Sequence, residues 1–172
     1  MGMDVIGKNP TAKRGEYFRN NIWWWHPLWD YCLINHSDIA GKVEDGHSND
    51  GDGLDGDDAF ALSQRLFADI ESGAANTYEA EYRAHLASLP VFECDYCQGT
   101  GIRSDTVGIE NGMPDKELEE VETILLGRTH GWCNACRGNG NVQHFATSYP
   151  FSVENVREFA EFLSNSGGFE IC

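Results

Sequence analysis

A short cysteine motif occurs twice in the chain and constrains its fold more than any other feature. The sequence CDYCQGTG at residues 94–101 returns as CNACRGNG at residues 133–140, so the pattern C-x-x-C-x-G-x-G repeats after 39 positions. A C-x-x-C pair in a tight turn directs two thiolates at one metal ion. The glycines that follow allow the positive φ angles of a knuckle-like hairpin. Two copies with the same glycines argue against a chance pattern or a lone redox pair.

The two motifs together predict a closed metal site. Its four thiolates come from Cys94, Cys97, Cys133 and Cys136. Four cysteines complete the tetrahedral shell of one structural zinc, whereas catalytic zinc keeps a position open for water. Iron in the same shell is the alternative. The 35 residues between the motifs, 98–132, exceed the roughly 15–20 residues of a zinc ribbon. A helix predicted inside that segment accounts for the excess.

Composition places the chain among soluble globular proteins. It has 172 residues, of which 41% are hydrophobic, enough for one domain or for one domain with a small module. No apolar run approaches the roughly 20 residues that span a bilayer, and the N-terminus lacks the apolar centre of a signal peptide. We therefore expect a cytoplasmic protein without a membrane segment, whose six cysteines are metal ligands or buried thiols.

The charge is strongly negative and unevenly distributed. The formal net charge is −16, and because residues 1–20 carry +2, residues 21–172 carry −18. Such a surface repels phosphate backbones, so direct nucleic-acid binding is not expected. Plain solubility explains the charge most simply. A protein partner, or an inhibitor whose acidic face imitates a nucleic acid, stays open as an alternative.

Tryptophan is concentrated in one segment. The sequence IWWWHPLWDYCLI at residues 22–34 holds four of the five tryptophans. Pro27 suits the first turn of a helix from about Leu28 to Asn35, and the indoles predict a central element of the core. An aromatic docking surface is the alternative. Residues 1–21 are polar and are predicted to be an extended arm or loop.

A loop rich in glycine and aspartate follows at residues 41–58. Its alternating carboxylates make a cation site over residues 44–58 conceivable, but an EF-hand register from Asp50 places Leu54 at position 5 and Ala61 at position 12. A turn-rich loop that ends in a helix cap at Asp57 explains the composition better.

Hydrophobic periodicity predicts four further helices. They are expected from the Asp57 cap to Gly73, over residues 76–89, over residues 115–127, and from Ser152 to Gly167, with a short strand at residues 169–172. In the third helix, Leu118, Val121 and Leu125 are predicted to share an apolar stripe. The chain is therefore predicted to be α+β and mostly α. Its predicted parts are a helical, Trp-rich body with the acidic loop (1–90), a four-cysteine zinc module of hairpins interrupted by a helix (91–144), and a C-terminal helix and strand that pack back on the body (145–172).

The two motifs resemble the cysteine-rich repeats of DnaJ-type co-chaperones, in which paired C-x-x-C-x-G-x-G hairpins bind zinc. That family has four repeats and two zinc ions, so the two repeats here imply one zinc. A J-domain carries His-Pro-Asp, whereas this chain has His26-Pro27 followed by Leu28, so the co-chaperone activity does not carry over.

Three longer stretches, at residues 17–32, 46–54 and 149–172, look like a group of small bacteriophage proteins, some of which are described as DnaJ-like. This resemblance implies a location in the host cytoplasm and brings no known activity, substrate or catalytic residue.

No nucleotide-binding or hydrolase motif occurs in the sequence. Residues that suggest a second metal site are Cys32, His36, His47 and Cys172, and Cys32 is a conceivable nucleophile beside His26 or His36. An enzymatic site near Trp25, His26, His47 and Asp50 is one alternative function. The favoured prediction is a non-enzymatic zinc-binding protein that acts as a protein-interaction module.

Overall fold

The chain folds into two compact units in a computed structural model that describes residues 2–172. The first, which we call the body, contains the chain up to Ala87 together with Ser148–Cys172. The second, which we call the cysteine unit, contains Ser88–Thr147. Helix accounts for 49% of the residues and strand for 13%. The predicted class, α+β and mostly α, is confirmed.

A three-stranded antiparallel sheet forms one part of the body. Its strands are β1 (Gly2–Gly7), β2 (Tyr17–Asn21) and β5 (Phe169–Ile171), in the order β2-β1-β5. Val5 of β1 pairs with Phe18 on one side and with Ile171 on the other. The prediction of an arm or loop at residues 1–21 is therefore wrong. The alternating apolar residues of β1 are too few to reveal a strand until its two partners are known.

Helix α1 (Ile22–Asn35) lies at the centre of the body. It begins six residues before the predicted start at Leu28, because the Asn21 side chain accepts the backbone N–H of Trp23 at 3.0 Å and caps it. Pro27 lies inside the helix, not in its first turn. Trp25 and Trp29 are fully buried, with stacked rings 5.6 Å apart. The predicted core role of the tryptophan segment is thus confirmed for these two residues.

Three further helices of the body follow the predicted periodicity closely: α3 (Gly56–Ser72), α4 (Ala74–Ser88) and α7 (Val153–Ser166). A short helix that the sequence did not predict, α2 (Ser37–Ala40), follows α1. The cap of α3 is Asp55, whose side chain accepts the N–H of Asp58 at 2.9 Å, and not Asp57 as predicted. Gly73 ends α3 at φ 81°, and Gly167 ends α7 at φ 60°. None of the described helices is long and apolar enough to cross a membrane.

The glycine- and aspartate-rich loop packs against the core of the body. The carbonyl oxygen of Gly46 accepts the indole N–H of Trp25 at 2.8 Å. An added Cβ at Gly46 would overlap Nε1 of Trp29, and one at Gly53 would overlap the carbonyl oxygen of Phe169. These glycines are needed because the backbone approaches the core too closely for a side chain.

The cysteine unit contains a short antiparallel pair of strands and two short helices. Strand β3 (Val91–Glu93) pairs in antiparallel fashion with β4 (Asn141–Gln143), while α5 spans Thr106–Glu110 and α6 spans Glu120–Leu126. A 3₁₀ turn at Phe145–Ser148 follows β4.

The third predicted helix, residues 115–127, is shorter than expected. Glu117 forms an isolated β-bridge with His130, and the backbone N–H of Leu118 donates to Thr129, so the chain is extended there and α6 begins at Glu120. Leu118 is buried, whereas Val121 and Leu125 are exposed. The predicted stripe is therefore wrong for Leu118, which lies before α6, whereas Val121 and Leu125 lie one turn apart on the helix.

We expect Gly46→Ala to destabilise the body by about 2 kcal/mol, since the new methyl group must displace the buried Trp29 ring. Urea unfolding followed by tryptophan fluorescence measures the effect. The matched control is Gly56→Ala in the same segment, where the nearest atoms to an added Cβ lie at an ordinary 3.4 Å. Equal stability of the two variants would contradict the packing of the loop on Trp29.

Candidate metal centre

Four buried cysteines meet at one point of the cysteine unit. The Sγ atoms of Cys94 and Cys133 lie 3.9 Å apart, and those of Cys97 and Cys136 lie 3.6 Å apart. All four sulfur atoms lie within 4.8 Å of one another. The structure therefore brings together the four residues that the repeated motif singles out, and their thiols form a cluster able to hold a metal ion.

The two motifs build this cluster with the same backbone geometry. The N–H of Gly101 donates to the sulfur of Cys97 at 3.2 Å, and the N–H of Gly140 donates to the sulfur of Cys136 at 3.2 Å. The positive φ angles recur at equivalent positions, with Gln98 at 49° and Arg137 at 52°. The predicted knuckle turns are present, and each aims a backbone donor at one sulfur atom.

The glycines also let the two knuckles pack against each other. An added Cβ at Gly101 would overlap the carbonyl oxygen of Gly138, and one at Gly140 would overlap the carbonyl oxygen of Gly99. The sequence predicts the need for positive φ at such positions. This close approach between the repeats is a second requirement that only the structure reveals.

Arg128 joins the two knuckles and was missed by the sequence analysis. Its Nη2 atom donates to the carbonyl oxygens of Gly101 at 3.0 Å and of Gly138 at 2.8 Å. One guanidinium group therefore fixes the spacing of both turns behind the cluster. No signal in the sequence marks it, because Arg128 lies outside both motifs.

The thiol pKa values show opposing effects of burial and hydrogen bonding. Burial raises the pKa of Cys97, and it raises the pKa of Cys136 to about 12, although backbone N–H groups act in the opposite direction. At Cys133 burial also acts to raise the pKa, but the backbone N–H groups of Cys136 and Ala135, together with hydrogen bonds from the thiols of Cys136 and Cys94, outweigh it and the pKa is lowered. A divalent cation favours the thiolate form of all four, so metal binding would release protons.

The cluster also takes the place of a hydrophobic core in this unit. Among the described residues of the cysteine unit, the only buried apolar side chains are those of Leu118 and the four cysteines. Val142 packs against the cluster and is partly buried. The arrangement of residues 94–140 therefore depends on what holds the sulfur atoms together.

The other cysteines and histidines named from the sequence do not form a second metal site. Cys32 is fully buried, and burial raises its pKa, which makes it a poor nucleophile. The ring of His36 contacts Asp69 at 2.8 Å, and that carboxylate also accepts the hydroxyl of Tyr31 at 2.7 Å. Cys172 is exposed. Over residues 2–172, the four clustered cysteines are the only group with metal-ligand spacing.

A pair of histidines on the body partly matches the alternative enzymatic site. The rings of His26 and His47 lie 4.7 Å apart, and Nε2 of His47 lies 3.0 Å from Oδ1 of Asp30. Asp50 instead accepts the hydroxyl of Ser48. The carboxylate that accompanies the pair is therefore Asp30, one helical turn after His26 on α1, and the choice of Asp50 from the sequence lacks support.

Many carboxylates are held in local interactions within the body and within the cysteine unit. The ion pairs join Asp38 to Arg65, Asp58 to Lys42, Glu79 to Arg83 and Asp105 to Arg103. Asp52 accepts the N–H groups of Asp45, Gly53 and Glu44, which lower its pKa. Carboxylates engaged in this way serve the local structure, which does not favour a phosphate-like array or a cation site in the acidic loop.

Comparison with protein-family models, with curated proteins and with solved structures finds no match for this chain. Its resemblance to DnaJ-type repeats and to a group of bacteriophage proteins stays a prediction.

We expect Arg128→Met to lower the affinity of the cluster for a divalent metal by roughly tenfold, because groups that orient the ligands without touching the metal have effects of about this size. Titration with Co²⁺, whose thiolate complexes absorb visible light, measures the change. The control is Arg157→Met, which removes an exposed arginine of the body. Unchanged affinity in Arg128→Met would show that the clamp is dispensable.

The His26 environment predicts a dependence of stability on pH. Burial and then the charge of His47 lower the pKa of His26 below 6.5, while Asp30 acts in the opposite direction. The unfolded chain therefore binds the proton more readily than the folded chain. The contribution of neutral His26 to the free energy of unfolding is fully present above about pH 6.5. It is lost as the pH falls through the pKa that His26 has in the folded chain. We expect His26→Gln to flatten this fall in urea unfolding between about pH 7 and pH 5. Parallel profiles for His26→Gln and the parent would contradict the assignment.

Proposed function

We propose that the chain is a non-enzymatic protein-interaction module whose cysteine unit is held together by one structural zinc ion. The observation that carries the proposal is the closed set of four buried thiols, which leaves no ligand position for water or substrate. The site is thus suited to stabilising the cysteine unit, and we expect the function to lie on the surface of that unit.

The spacing of the thiols fits a tetrahedral metal ion such as zinc. A tetrahedral zinc with Zn–S bonds of about 2.3 Å has sulfur atoms about 3.8 Å apart. The two measured separations, 3.6 Å and 3.9 Å, bracket that value. Iron prefers a similar thiolate shell, so metal analysis is the direct test between them.

The surface of the cysteine unit supports an interaction role. Among the described residues, nine of the fourteen exposed large hydrophobic side chains lie in this unit of 60 residues, against five in the 112 residues assigned to the body. Concentrated apolar exposure is typical of surfaces that bind another molecule. Protein is the favoured partner, because the net charge of −16 opposes phosphate backbones. The cytoplasmic location and the bacteriophage origin rest on the sequence alone and are part of the proposal.

Metal analysis of the purified chain tests the proposed site. We expect close to one zinc per chain in the parent and in Cys172→Ser, which removes the exposed cysteine. Cys133→Ser should lose the metal and unfold residues 94–140, as measured by amide hydrogen exchange, while the body stays protected. Iron, or a metal-free chain with a protected cysteine unit, would contradict the proposal.

Cross-linking with mass spectrometry tests the interaction role. Proteins captured from cells by the parent should cross-link to residues 88–147, and Cys133→Ser should lose them while Cys172→Ser keeps them. Capture that survives Cys133→Ser would place the interaction elsewhere and contradict the role assigned to the cysteine unit.

A further inference from the structure

We infer that α6 and the groove beside it bind a basic, amphipathic peptide segment of a partner protein, and that this binding requires the metal. The inference rests on the proposed function and names the surface and the partner chemistry. Its starting point is the exposed apolar face of α6, which includes Val121 and Leu125 of the predicted stripe.

The helix α6 presents its apolar residues to solvent. Val121, Ile124 and Leu125 are 66%, 73% and 77% exposed, whereas Glu122 and Thr123 between them are only partly exposed. An amphipathic helix normally buries its apolar side and exposes its polar side. This reversed arrangement leaves three aliphatic side chains without a covering element.

A groove lies beside this ridge and continues the apolar surface. Its volume is about 230 Å³, and it is lined by Glu122, Leu125, Leu126, Trp132, Arg137 and Asn139. Leu125 belongs to both the ridge and the groove, so one apolar segment of a partner can contact the two together. Side chains spaced three and four apart on a helix match such a surface.

The groove is built on the second cysteine knuckle. Arg137 and Asn139 belong to the knuckle itself, and Leu126 approaches it so closely that an added Cβ at Gly138 would come within 2.6 Å of its Cδ1 atom. The carbonyl oxygen of Gly138 is held by Arg128 at 2.8 Å. The groove wall therefore depends on the turn that positions Cys136. Because the metal holds that turn, loss of the metal would remove the groove wall.

Charge identifies the occupant. Residues 115–122 contain five carboxylates and one cation, Lys116, which lies 4.7 Å from the centre of the Trp132 ring. Glu117 and Glu120 are exposed just before and at the start of α6, and the groove lining itself adds Glu122 and one cation, Arg137. A segment with lysine or arginine beside its apolar residues complements these carboxylates.

A second copy of the chain does not fit this surface as well. A two-fold contact through α6 would bring together two copies of the same strongly acidic surface, which repel each other. The helix has seven residues and is therefore about 10 Å long, while a stable interface buries roughly 800 Å² on each partner. A single peptide helix that crosses α6 fits this small surface better than a protein dimer does.

The test uses the full zinc-loaded chain and a fluorescein-labelled 18-residue peptide of leucine and lysine arranged as an amphipathic helix. Zinc content is measured first on the same sample. We expect saturable binding that weakens with salt, and at least a tenfold loss of affinity in Leu125→Ser. The matched control is Ile109→Ser on α5, also in the cysteine unit, where the side chain is 63% exposed; its affinity should stay within about twofold of the parent. A peptide of leucine and glutamate with the same pattern should not bind.

Methyl NMR of the same complex locates the peptide. The signals of Val121, Ile124 and Leu125 should shift on titration while that of Ile109 stays in place, and removal of zinc by a chelator should abolish the shifts.

A zinc-containing parent whose peptide affinity is unaffected by Leu125→Ser would overturn the inference and leave the zinc proposal standing. A folded chain without zinc would overturn the proposed function, and peptide binding by that chain would overturn the metal requirement. A concentration-dependent dimer that Leu125→Ser abolishes would assign the face to a second copy and also overturn the inference.

Discussion

The meeting of four thiol groups is the interaction on which the cysteine unit depends. Only Leu118 joins the four cysteines as a buried apolar side chain among the described residues of this unit, so hydrophobic burial contributes little to its stability. Structural zinc in small peptides contributes apparent binding energies of about 10–16 kcal/mol, a range similar to the folding free energy of a whole domain. With zinc in this site, the ion would supply most of the stability, and the glycine contacts and Arg128 would set its geometry.

The body is stabilised in a different way, by aromatic packing on α1. Trp25 and Trp29 stack against each other, and each meets Phe159 of α7 edge to face. The acidic loop is tied to the same core, because the carbonyl oxygen of Gly46 accepts the Trp25 indole N–H. Its glycines are therefore explained by close backbone packing, and its aspartates by the need to hold turns with side-chain acceptors. Neither feature requires a cation.

Local signals were sufficient for some parts of the fold and not for others. The repeated motif identified the four clustered cysteines, and the strong periodicity between Ser152 and Gly167 gave α7 at its observed bounds. The strand β1 was missed because its stability comes from two partners distant in sequence. Periodicity identified an apolar face near Leu125 but could not show that nothing covers it. Asp30 and Arg128 were missed because only tertiary structure places them beside His47 and the knuckles.

Stabilisation of the cysteine unit by a metal ion would account for the exposed face of α6. In a domain held by a hydrophobic core, three aliphatic side chains left in water would forgo burial energy that the fold needs, about 1.5–3 kcal/mol each. A unit held by a metal can leave such a face open for a partner. Coupling between the two sites must then be reciprocal: if the metal fixes the groove wall at Gly138, an occupant of the groove must in turn increase the affinity for the metal. The partner and the ion would thus stabilise the same state of the knuckle, and the exposed residues of α6 would become buried only in the complex.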